Sequence, residues 1–217
     1  MTPTESALRL LRVGARVQWP VQPDPTQYGR LTQLPAKRTV RGVQGREVAF
    51  DDGTRFALPP DANIQFGKTP DGRIDTLTLT GPSGPSTTLT VLPPAEAGAV
   101  TRPVRSLLDI RERCFNGAWI EFERRDHAAP PLRQPPGTVG RAVGVVTVGR
   151  EEFICLADRS VLELPKIHNP GPGERLTFQD GNLVIWSVLV STGLFGGKWR
   201  DFRVRFLDGE PTLPRRS

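Results

Sequence analysis

An internal repeat constrains this chain more than any other feature. Gly45-Arg46-Glu47 opens a segment that runs through Val48, Phe50, Asp52, Thr54 and Phe56 to Leu58-Pro59, and Gly149-Arg150-Glu151 opens one that runs to Leu164-Pro165. With one two-residue insertion after the Gly-Arg-Glu start, Val48 falls on Ile154, Phe50 on Leu156, Asp52 on Asp158, Thr54 on Ser160 and Phe56 on Leu162. Apolar parity holds throughout, so both segments assign the same positions to the buried face of a strand. Upstream, Gly14-Ala15-Arg16-Val17-Gln18-Trp19 matches Gly117-Ala118-Trp119-Ile120-Glu121-Phe122. Downstream, Asp71-Gly72-Arg73-Ile74 answers Asp180-Gly181-Asn182-Leu183. Self-similarity over this span predicts two copies of one folding unit.

Each copy reads as a short helix followed by about five strands. Leucine-rich stretches from Ser6 to Arg12 and from Val104 to Arg113 carry apolar residues at three- and four-residue spacing, with Thr4, and Ser106 or Thr101, as cap candidates. Beyond them the period changes to two: Val17 and Trp19, Val48 and Phe50, Phe56 and Leu58, Leu77 and Leu79, then Ile120 and Phe122, Ile154 and Leu156, Leu162 and Leu164. Asp51-Asp52-Gly53, Pro70-Asp71-Gly72 and Asp180-Gly181 are turn signals. With 22 glycines and 22 prolines in 217 residues, long helices are excluded. The expected fold is mostly β: two tandem copies of a short helix plus a small β barrel, with the architecture of SH3-like or Sm-like barrels.

The expected division is a first helix-plus-barrel unit over 1–81, a Pro/Gly-rich linker over 82–103 with an extra strand at Thr88 to Leu92, a second unit over 104–192, and a C-terminal basic strand and tail over 193–217. Two Pro-rich stretches, Pro20 to Tyr28 and Ala128 to Gly137, fall at the same place in both copies and read as long loops after the first barrel strand.

The formal net charge is +6 and the pI about 10.1, which points to a polyanionic partner. Nearly all the basic residues are arginines, however, a bias that composition alone produces. The clearest concentration is C-terminal, where Phe202, Val204 and Phe206 point one way along a strand while Trp199, Asp201, Arg203 and Arg205 point the other. Guanidinium groups contact phosphates and aromatic rings stack on bases. The expectation is therefore a non-enzymatic nucleic-acid-binding protein, for DNA or RNA, using Lys198, Trp199, Arg200, Arg203 and Arg205, with Arg41 and Arg124 as second-line contacts. The alternative is a protein-protein interaction or structural module whose edge strands and Pro-rich loops engage a partner chain.

Enzymatic constellations do not assemble in the sequence. Gly193 to Lys198 lacks the first glycine and the final Ser/Thr of a phosphate-binding loop, which are replaced by Thr192 and Trp199. His127 and His168 have no second ligand at metal spacing, Cys114 and Cys155 sit in apolar contexts that disfavour a thiolate, and Asp51-Asp52 is already explained as a turn. No catalytic residue, metal or cofactor is expected. The N-terminus lacks the pattern of a signal peptide, and no apolar run approaches the roughly 20 residues of a membrane span. A cytoplasmic protein with no membrane contact is the expectation.

Overall fold

The computed structural model describes residues 1–19, 31, 33–69, 72–82, 86–98, 101–125, 137–148, 151–164, 174–191 and 197–211. Both Pro-rich loops, apart from Gly137, lie outside the described residues, as do His127 and His168.

Helix α1 (Pro3–Leu10) begins at a capping box. The Thr2 hydroxyl accepts from Glu5 N at 3.2 Å and the Glu5 carboxylate accepts from Thr2 N at 2.7 Å. The cap is thus Thr2 and not Thr4, because Pro3 needs no intrahelical partner for its nitrogen and can occupy the first helical position. Helix α2 (Leu107–Phe115) is capped by Ser106, one of the two expected candidates, while Thr101 donates instead to Gly98 O at 2.9 Å. No helix among the described residues is long and apolar enough to cross a membrane.

After α1 come β1 (Arg16–Gln18), β2 (Lys37–Gln44), β3 (Glu47–Phe50), β4 (Arg55–Ala57), β5 (Asn63–Lys68), β6 (Ile74–Thr80) and β7 (Thr87–Leu92). After α2 come β8 (Trp119–Arg125), β9 (Val139–Val148), β10 (Glu151–Leu156), β11 (Val161–Leu164), β12 (Glu174–Gln179), β13 (Leu183–Ser191) and β14 (Gly197–Leu207). The first seven form one antiparallel sheet in the order β4-β3-β2-β1-β7-β6-β5, and the second seven form another in the order β11-β10-β9-β8-β14-β13-β12. Strand for strand the two orders are the same. The chain is mostly β, with two similar sheets.

Equivalence extends to irregularities. The β2–β3 ladder skips a residue between Val40 and Gly42, and β9–β10 skips one between Ala142 and Gly144. Such bulges bend a sheet and sharpen its twist. The second hairpin is two residues longer on each strand, the two-residue insertion after Gly-Arg-Glu falling on β10, so β9–β10 pairs out to Val148 and Glu151 where β2–β3 stops at Gln44 and Glu47. Asp52 Oδ1 accepts from Thr54 N and Oγ1 at 2.9 and 2.6 Å, and Asp158 Oδ1 accepts from Ser160 at the same two distances.

The barrel expectation meets a limit here. Neither sheet pairs its outermost strands, β4 with β5 or β11 with β12, among the described residues, so closure is not seen. Period-two alternation reports which face of a strand is buried and carries no information on whether the two end strands meet.

Each half has its own core. Leu11, Val17, Val48, Leu58, Leu77 and Leu89 fill the first, and Ile110, Ile120, Ile154, Leu162, Trp186 and Phe206 the second. A third cluster joins them: Leu31 of the first half packs with Val146, Cys155 and Val161 on the outer face of the second sheet, and Leu31 N donates to Arg159 O at 2.8 Å.

Among the described residues the halves also meet through polar contacts, most of them buried. Arg16 pairs with Glu112 at 2.5 Å and donates to Asn116 Oδ1 at 3.2 Å, while Asp75 and Arg111 form an ion pair with side chains 0% and 1% exposed. Gln18 Nε2 donates to Val145 O at 2.5 Å, and Val145 N donates to Gln18 Oε1 at 3.2 Å. That amide lies so close to Gly144 that a Cβ there would stand 2.2 Å from Gln18 Oε1. Lys37 reaches Phe115, donating to its carbonyl with the ammonium 4.9 Å from the ring centroid.

Candidate nucleic-acid interface

Strand β14 is held between β8 and β13 by continuous ladders, Arg203 lying opposite Ile185 on one side and Arg124 on the other. Phe202, Val204 and Phe206 pack into the second core, which turns Trp199, Asp201, Arg203 and Arg205 to the outer face. The alternation read from sequence therefore places these residues as expected on one surface. Trp199 is half-buried, with the Arg175 guanidinium 4.2 Å from its ring centroid, and Leu183 and Ile185, opposite Arg205 and Arg203, are buried.

Both described arginines of this strand are occupied. Arg203 Nη2 donates to Asp201 Oδ2 at 3.0 Å, and Arg205 pairs with Glu123 while donating to Gly181 O at 3.0 Å. Their charge is largely balanced within the sheet, which weakens the attraction of this face for phosphate. Lys198, Arg200 and Arg124 are placed by main chain only, since their side chains lie outside the described residues.

Arg41 is elsewhere, exposed at the β2 bulge of the first sheet, and the face of β14 does not include it. Its sequence neighbours disperse: Arg38 pairs with Asp52 at 2.7 Å and lies 5.0 Å from the Trp19 ring centroid, while Lys37 turns to the other half. Burial lowers the Lys37 pKa to about 8.

Two residues of the outer face were missed in sequence. Arg175 alternates with Leu176 and Phe178, a signal that was available, and Leu189, 40% exposed opposite Trp199, was hidden inside the apolar run of β13.

The other titratable groups have structural surroundings. Asp52 is held at about 2 by hydrogen bonds from the Thr54 side chain and backbone and then by Arg38, and Asp51 is lowered chiefly by Thr39 N. Burial pushes the Cys155 thiol up to about 12 and the Cys114 thiol higher still, so both stay protonated and unreactive near neutrality. No group of three or more metal-ligating side chains occurs among the described residues. Comparison with family models, curated proteins and solved structures finds no match for this chain.

Proposed function

We propose that this is a non-enzymatic nucleic-acid-binding protein whose contact surface is the outer face of β12, β13 and β14, with each sheet an unclosed member of the SH3-like or Sm-like small-barrel class. The Arg175–Trp199 stack beside Arg203 and Arg205 on one sheet face carries this reading. An indole held flat by a guanidinium is a ready platform for a base, and such stacking contributes about 1–3 kcal/mol per base. Arg124, opposite Arg203 on β8, supplies a phosphate contact on this face; Lys198 and Arg200 stand at the opposite parity of β14 and are contacts at its end, while Arg41 on the first sheet is a more distant one. Equivalent bulges in both hairpins, which curl the sheets, support the small-barrel class. Two free, buried cysteines support a reducing, cytoplasmic setting.

Fluorescence anisotropy with labelled single- and double-stranded DNA and RNA, at low and moderate salt, tests the proposal. Binding that weakens with salt, and about tenfold with Trp199→Ala, is expected. Absence of binding to all four polymers at low salt overturns it.

A protein partner is the second reading, supported by the charge balance of Arg203 with Asp201 and Arg205 with Glu123 next to exposed Leu189. Such a partner would bind with little dependence on salt.

A further inference from the structure

The contact between halves joins two unlike surfaces: the outer side of β1 and β6 in the first half, and the outer side of α2 with β9 in the second. By the repeat alignment, Leu8 corresponds to Arg111, Arg9 to Glu112, Arg12 to Phe115 and Val13 to Asn116. Val43, opposite Val48, corresponds to Val145, opposite Ile154. In the second half this surface is covered, with Arg111 and Glu112 at 1% and 2% exposure beneath Asp75 and Arg16 and the Val145 main chain bonded to Gln18, while the Val145 side chain packs into the second core. In the first half the same surface is bare. Val13 is 61% and Val43 37% exposed, and a groove of about 530 Å³ opens there, lined by Glu5, Leu8, Arg9, Arg12, Val13 and Val43. Gly42, the counterpart of tightly contacted Gly144, has nothing within 4 Å of a Cβ.

The complementary surface is also present and uncovered. Arg16 and Gln18 are 6% and 3% exposed, whereas their counterparts Trp119 and Glu121 are only half-buried. A contact that joins unlike surfaces of two repeated units leaves one of each free at the ends of the pair, and such ends associate head to tail.

We infer that a second copy of this chain docks by the same geometry, its Trp119–Glu121 surface seated in the α1–β2 groove of the first. The chemistry is complementary: Arg9 and Arg12 on the groove rim meet an aromatic ring and a carboxylate, and Val13 and Val43 are covered by the indole. The result is an open, head-to-tail assembly in which the intrachain contact alternates with its interchain counterpart.

Sedimentation velocity over roughly 10–500 µM, a range that captures weak protein contacts, tests this on the full chain. The wild type is expected to grow with concentration past the dimer. Val13→Asp, at an exposed site, and Glu121→Arg are each expected to remain monomeric, with unchanged circular dichroism. Mixed one to one, they retain one intact surface of each kind and form a dimer and nothing larger. Arg9→Glu supplies a second groove variant and should also prevent growth. A monomeric wild type, growth that survives both groove substitutions, or a mixture that stays monomeric overturns the inference.

Discussion

The two halves share a strand order but differ in what lies on the outside of the sheet. In the first half β1 is buried on both faces, Arg16 and Gln18 included, because the second half covers it. In the second half β8 keeps simple alternation, with Ile120 and Phe122 buried and Trp119, Glu121 and Glu123 half-exposed. The same topology thus serves as a buried joint in one copy and an open surface in the other. A handful of side chains determines the difference: Asp75, Arg111, Glu112 and Gly144 belong to the joint, while the equivalent of Gly144 in the first half faces open space.

Removing one partner of the buried ion pair breaks the comparison most forcefully. Asp75→Ala leaves Arg111 charged in a site with 1% exposure, and is expected to cost about 3–5 kcal/mol in urea unfolding. A cost below about 1 kcal/mol would mean that the joint is solvated and the halves are loosely held.

Matched glycine substitutions sharpen it. Gly144→Ala must expel the Gln18 amide and with it two hydrogen bonds to Val145, for a loss of about 1–3 kcal/mol. Gly42→Ala at the equivalent bulge is expected to stay within about 0.5 kcal/mol of wild type. Equal effects would show that the two surfaces are not distinguished.

The thiols make alkaline pH sensitivity a property of the second half, since Leu11 and Ala49 stand where it has Cys114 and Cys155. Both thiols are raised in the folded state by burial, Cys155 to about 12 from an ordinary value of 9.0. Their contribution is full below pH 9, where folded and unfolded chains both hold the proton, and is lost as pH rises through the window up to the folded values. Lys37 acts in the opposite sense, because its pKa is lowered to about 8 and the folded chain gives up that proton before the unfolded one. With two thiols against one lysine, unfolding free energy should fall between pH 9 and 10, each thiol contributing about 1 kcal/mol per pH unit. Cys155→Ala should flatten the slope in urea titrations at the two pH values.

The smallest effect concerns the turn that the copies share. Gly53 has φ of 82° and Arg159, its counterpart, φ of 70°, a left-handed conformation that strains a residue with a Cβ. Arg159→Gly should therefore gain no more than about 1 kcal/mol, and Gly53→Ala should lose about 1 kcal/mol, by thermal melts. A stabilising Gly53→Ala would contradict the shared turn.

Local chemistry was what the sequence displayed best. The Asp52–Thr54 and Asp158–Ser160 turns, the Ser106 cap and the buried parity of β3 and β10 all follow from interactions within a few residues, and all were legible. Relations between distant segments were not. Thr87–Leu92 carries the composition of a linker's neighbour, yet β7 lies between β1 and β6, and β14 likewise lies between β8 and β13, because ladder partners depend on the whole sheet. The charged residues of α2 carry no sequence signal of their partners, Arg16 and Asp75, which belong to the other half of the chain. Of the candidate site, the shared face of Trp199, Arg203 and Arg205 was visible from alternation. Their neutralising partner Glu123 and the stacking partner Arg175 lie on neighbouring strands and needed the register.

That the two halves form one body through a buried polar joint is tested most directly by pulse-labelling hydrogen exchange across a urea series, resolved by peptide for β1–β7 and β8–β14. Both sheets should lose protection at a single urea midpoint, and Asp75→Ala should lower that midpoint for both together. Separate midpoints in the wild type, with one sheet exchanging while the other stays protected, would contradict the account.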